Sequence, residues 1–104
     1  MALRLPGGTD LSTRGRTGLE VLDYELVSEM ATALGAAGRK VEEVMERLHA
    51  HTGDGESRKA LLKAAADAVY AYFIQRELCG LRRHHDVIRE YRIPNEVLAR
   101  LGAK

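Results

Sequence analysis

Apolar residues in the first half of the chain recur at three- and four-residue steps. Leu19, Leu22, Leu26, Met30, Leu34, Ala37, Val41, Val44, Met45 and Leu48 fall on one stripe of a helix. Thr17 and Glu20 have the Thr-x-x-Glu spacing of a capping box, which predicts a start near Thr17 and a helix reaching to about His51. Such a helix is roughly 50 Å long at about 1.5 Å per residue. Gly35 and Gly38 interrupt it, and each costs about 1 kcal/mol against Ala in a helix interior. The stripe keeps phase across them, so one helix is expected, kinked or straight. Ala31, Gly35 and Gly38 flank the stripe as a smooth strip that lets another backbone approach.

Thr52-Gly53-Asp54-Gly55 reads as a turn, with Asp54 as the N-cap of a second helix. In that helix Ala60, Ala64, Ala68 and Ala71 form another smooth strip. Leu61, Leu62, Ala65, Val69, Tyr72 and Phe73 carry the bulk on a second face. Beyond Val69 the polar back disappears, because Tyr70, Ile74, Leu78 and Leu81 occupy it. That half of the helix is apolar nearly all round and needs cover from more than one side. Gly80 before Leu81 is placed as a C′ glycine that ends the helix.

Arg82 to Tyr91 then predicts a short helix with Val87, Ile88 and Tyr91 inward. Pro94 is suited to open a last one, through Leu101. The two short helices are expected to fold back over the Tyr70/Ile74/Leu78 side. The fold class is therefore all-α: a long antiparallel hairpin with two short C-terminal helices. Residues 1–17 are rich in glycine and lack any apolar period, so they read as a tail ahead of one helical domain over 18–104. A core from roughly 85 ordered residues is marginal. The first helix is also longer than its partner, and both points predict a homodimer that forms a helical bundle.

Composition narrows the function without supplying one. Sixteen basic residues against fifteen acidic give a net charge of +1, which argues against binding nucleic acid by bulk charge. One cysteine, Cys79, excludes an internal disulfide and fits a reducing cytoplasm. No apolar run has the length of a signal peptide or approaches the ~20 residues of a membrane span, so a soluble cytoplasmic protein is expected. The charge is unevenly placed. From Leu19 to Gly38 there are four acidic residues (Glu20, Asp23, Glu25, Glu29) and no basic ones, whereas residues 82–104 carry six Lys/Arg against three Asp/Glu. An acidic helix start and a basic C-terminal end attract each other, within a subunit or between two.

No set of residues specifies a reaction, and neither catalytic residues nor a cofactor are expected. Glu46 and His49 have the Glu-x-x-His spacing of di-iron bundles, with Glu42 on the same flank; a solvated helix face accounts for them equally well in chemistry and better in frequency. His84 and His85 point about 100° apart on a helix and cannot share one ion. Cys79 projects with the bulky apolar face, where a thiol is an inert small hydrophobe. Arg76 also falls inside that face. Two readings stay open for it: a buried ion pair with Glu25 or Glu29 of the first helix, or a stem that snorkels to water.

Asp86 to Leu101 has the outline of a helix-turn-helix core, with Arg89, Arg92 and Arg100 as candidate nucleic-acid contacts. Arg92 stands where that turn usually has Gly, and Arg100 alone offers little base-reading capacity beside Glu96. The runs Phe73–Leu81, Asp86–Arg89 and Ile93–Gly102 resemble a family of short bacterial helical proteins of unknown function. The likeness covers the C-terminal third. The resemblance implies a cytosolic bacterial protein and carries over no site residues. The expected function is therefore association, with itself or another protein. DNA binding through residues 82–101 is the alternative, and a metal-binding dimer a remote one.

Overall fold

The computed structural model describes residues 13–103, and among them every element is a helix: α1 (Thr13–Ala50), α2 (Glu56–Leu78), α3 (His85–Glu90) and α4 (Asn95–Leu98). By internal contacts the chain divides into two units, Met1–Ala31 and Thr32–Lys104. The expected tail over residues 1–17 lies mostly outside the described residues.

α1 begins at Thr13, four positions ahead of the expected capping box, so Thr17 is a helical residue and not the cap. Nothing in Arg14-Gly15-Arg16 forbids helical backbone, and a single glycine there costs only about 1 kcal/mol. The helix then runs unbroken through Gly35 and Gly38.

In the unit Met1–Ala31 the stripe residues Leu22 and Leu26 are uncovered and Met30 is half-buried. Val21, Leu22, Tyr24, Leu26 and Val27 are all exposed, as are Glu20, Asp23, Glu25 and Glu29.

In the unit Thr32–Lys104 the same stripe is the core. Val41, Val44, Met45 and Leu48 of α1 pack against Leu62, Ala65, Ala66, Val69, Tyr72 and Phe73 of α2. This is the expected antiparallel hairpin, closed by residues 51–55. His51 Nε2 and Ser57 Oγ lie 3.0 Å apart across that turn. The N-cap of α2 is Gly55, at φ 83°, and not Asp54. A residue at positive φ strongly favours glycine, so the turn places its last glycine at the helix entrance. The smooth strip on α1 meets a side chain and not a backbone: a Cβ at Gly38 would sit 3.3 Å from Tyr72 Cε1.

α2 ends as the pattern requires. Leu81 N–H donates to Arg76 O at 2.9 Å and Gly80 N–H to Glu77 O at 3.0 Å, the paired bonds of a Schellman motif around a left-handed glycine. α3 ends the same way, with Ile93 N–H on Ile88 O and Arg92 N–H on Arg89 O, but its C′ residue is Arg92, at φ 52°. Both short helices are shorter than the pattern suggests. α3 begins only at His85, after residues 81–84 that have no regular structure, and α4 ends at Leu98 in successive turns.

The C-terminal segment does not cover the Tyr70/Ile74/Leu78 side as expected. Val87, Ile93 and Val97 enter the main core beside Val69, Tyr72 and Phe73, and α4 packs along α2. An ion pair between Arg58 and Glu96 ties the start of α2 to α4. Branched residues bury more apolar area in a seam shared by two helices than on the flank of one. Tyr70 lies beside Gly102, and Tyr70, Ile74, Leu78 and Leu81 stay exposed.

Candidate functional site

Among the described residues Arg76 is the one buried charged residue, 7% exposed on the inner face of α2. Its side chain is held by the irregular segment that follows the helix. Nε donates to His84 Nδ1 at 3.0 Å, and Nη2 donates to Arg83 O at 2.8 Å and to Asp86 Oδ1 at 3.4 Å. The guanidinium carbon lies 5.7 Å from the Tyr72 ring centroid, within cation–π range. Because Nδ1 of His84 accepts, its proton is on Nε2, which donates to Glu77 Oε2 at 3.0 Å. The imidazole stacks on Phe73, with centroids 4.1 Å apart and planes at 5°. Backbone, ring and charge thus fix the path of residues 81–86 against α2.

Arg76 is buried, and the carboxylate that reaches it is Asp86 of the C-terminal segment; Glu25 and Glu29 are exposed. Sequence spacing missed this pair because Asp86 lies beyond a helix end, where no periodicity applies.

Outside the tethered guanidinium the same segment forms a basic cleft of about 570 Å³. Arg82, Arg83, His85 and Arg89 line it together with Arg76, its partner Asp86, and Gly80 and Leu81. Neither Arg82, Arg83 nor Arg89 has a carboxylate within ion-pair distance among the described residues. Three like charges around one depression raise its positive potential, which an incoming anion relieves. Of the candidate nucleic-acid contacts, Arg89 lies in this cleft. Arg92 is in the turn after α3, and Arg100, in the turns after α4, donates to Glu96 O at 3.0 Å. α4, where the helix-turn-helix outline calls for a recognition helix, is a single turn long.

Glu42, Glu46 and His49 line a shallow depression of about 250 Å³ with Glu90 and Tyr91. His49 Nε2 lies 3.3 Å from the Tyr91 carbonyl oxygen. Among the described residues no three His, Cys, Asp or Glu side chains come close enough to hold one ion. Burial, with Tyr72, Glu90 and Glu42 nearby, pushes the Tyr91 phenol above the usual tyrosine range. Cys79 is the C-cap of α2 and is half-buried, less enclosed than its helical position suggests.

A third depression, of about 560 Å³, lies between α1 and α2 and is walled by Ala36, Ala37, Ala64, Ala68 and Ala71. Of the two small-residue strips, the one on α2 thus borders an open groove, through Ala64, Ala68 and Ala71, whereas Ala31, Gly35 and Gly38 do not line it. The tight α1–α2 contact forms instead on the bulky face. No described helix is long and apolar enough to cross a membrane.

The architecture is that of a small all-helical protein with a long helical hairpin, a C-terminal cap and a basic cleft where the two meet. The chain belongs to a family of unknown function (DUF6665), whose model matches residues 3–104. The likeness is therefore not confined to the C-terminal third, as the quoted motifs suggest, but takes in nearly the whole chain. No curated protein and no solved structure matches it.

Proposed function

We propose that this protein works by self-association in the cytoplasm, as a homodimer whose helices complete each other's cover. The observation that supports this reading is the set of large apolar side chains left in water. Leu22 and Leu26 of α1 are 62% and 58% exposed, and Leu78 of α2 is 64% exposed. Single exposed leucines need no explanation, but these come in two groups: Leu22, Leu26 and Val27 on α1, and Tyr70, Ile74 and Leu78 on α2 with Leu81 just past its end. Burying a leucine contributes about 1.5–3 kcal/mol, so two such groups meeting provide enough to hold a dimer together. The helix lengths agree, since α1 has 38 residues and α2 only 23. Light scattering on the full chain tests this directly. The expected mass is twice the 11.5 kDa of one chain at micromolar concentration, and a well-folded particle of 11.5 kDa under those conditions overturns the reading.

DNA binding through residues 82–101 is the weaker alternative. It draws support from Arg82, Arg83 and Arg89 and little from the one-turn α4. It requires salt-sensitive retention of duplex DNA.

A further inference from the structure

The two exposed groups differ in their charged borders, and the difference assigns them to each other. On α1, Glu25 and Glu29 stand one helical turn apart beside Leu22 and Leu26, and all four line one shallow surface depression. Leu19 to Gly38 contains no basic residue at all. On α2, Ile74 and Leu78 lead to Leu81, and Leu81 is itself on the rim of the cleft lined by Arg82, Arg83 and Arg89. One surface is thus leucine edged with carboxylate. The other is leucine and isoleucine edged with guanidinium groups that have no carboxylate partner among the described residues. Asp86 also lines the cleft, but its carboxylate pairs with Arg76, and the nearby Glu77 carboxylate pairs with His84.

We infer that the Leu22–Glu29 segment of α1 from a second copy of this chain docks on the Ile74/Leu78/Leu81 row, with Glu25 and Glu29 set over the cleft of Arg82 and Arg89. This rests on the proposal of self-association and adds its register. The leucines supply burial, and the carboxylates supply orientation, because a row laid the other way would bring no charge to the arginines. Guanidinium groups suit this role, since each takes a carboxylate through two parallel hydrogen bonds. Every chain carries both surfaces, so in a two-fold pair the contact would be made twice.

A charge exchange tests the pairing. One variant carries Glu25→Arg and Glu29→Arg, the other Arg82→Glu and Arg89→Glu; all four positions are exposed, so circular dichroism should report unchanged helix in both. Each variant alone is expected to self-associate at least about tenfold more weakly than the native chain, more so at low salt. Mixed in equal amounts they should recover dimers of one chain of each kind, because both contacts then again join opposite charges. If the native chain dimerises and both variants do so equally well, self-association stands and this pairing is overturned. A native chain that is monomeric removes both. Loss of duplex DNA retention in the Arg82/Arg89 variant, with self-association unchanged, also overturns the pairing and assigns the cleft to nucleic acid.

Discussion

Leu26 and Val44 belong to one stripe of one helix, yet Leu26 is 58% exposed and Val44 4%. The spacing rule that places them is the same, and so is the chemistry of their side chains. What differs is cover. In the unit Thr32–Lys104 the stripe meets α2 and the C-terminal segment, whereas in the unit Met1–Ala31 its Leu22 and Leu26 meet water. Periodicity therefore states which face of a helix is to be buried and leaves open what buries it. The largest expected effect follows from this contrast. Met45→Ala, at a position only 2% exposed, should lower the free energy of unfolding by about 2–5 kcal/mol in a urea titration. Leu26→Ala should leave unfolding of the monomer within about 0.5 kcal/mol of native and weaken association instead. Similar losses of monomer stability in both would erase the distinction between the halves.

Arg76 sharpens the comparison from within the covered unit. A helix that turns apolar all round has one guanidinium on its inner face, and that group binds the segment which supplies the cover. Arg76→Met keeps much of the apolar stem but leaves His84 Nδ1 and the Arg83 carbonyl without their donor. Asp86 is 72% exposed at its side chain and stays solvated, so the full cost of a broken buried pair does not apply. A loss of about 1–3 kcal/mol is expected. The readout specific to the tether is trypsin cleavage after Arg82 and Arg83, which should quicken as residues 81–86 detach. Unchanged cleavage with full loss of stability would show that Arg76 serves packing alone.

Much of this architecture was legible in the residues. The two long helices, their hairpin, the Gly80 stop and Pro94 ahead of the last helix all follow from spacing and from the special geometry of glycine and proline. Misjudgements gather where no period operates. Asp54 has the better capping side chain, but Gly55 has the backbone that the turn needs. Arg92 adopts a left-handed conformation that its residue type disfavours, held there by the two bonds that close α3. The side chosen by the C-terminal segment depends on Arg76 reaching Arg83 and Asp86, contacts set by an irregular stretch between helices. Arg82, Arg83 and Arg89 of the cleft were visible as a basic C-terminal end, but their gathering into one depression was not.

The smallest expected effect lies at Gly35 and Gly38, three residues apart on α1. Both glycines sit in unbroken helix, where alanine is favoured by about 1 kcal/mol. Gly35 is exposed, and a Cβ there meets only the mobile end of Arg39 at 3.4 Å. Gly35→Ala should therefore stabilise the chain by close to that full amount. Gly38 is buried, and its Cβ would press on the Tyr72 ring at 3.3 Å. That ring stands edge-on to Tyr91, 6.2 Å between centroids, and lies beneath the Arg76 guanidinium, so it has little room to retreat. Gly38→Ala should give less than Gly35→Ala, and Gly38→Val should be worse than native, because branching adds volume against the same ring and lowers helix propensity as well. Thermal melts of the three variants in parallel provide the measurement. Equal gains at both alanines would mean that Tyr72 yields freely, and that the cover over this part of α1 is softer than the packed core beside it.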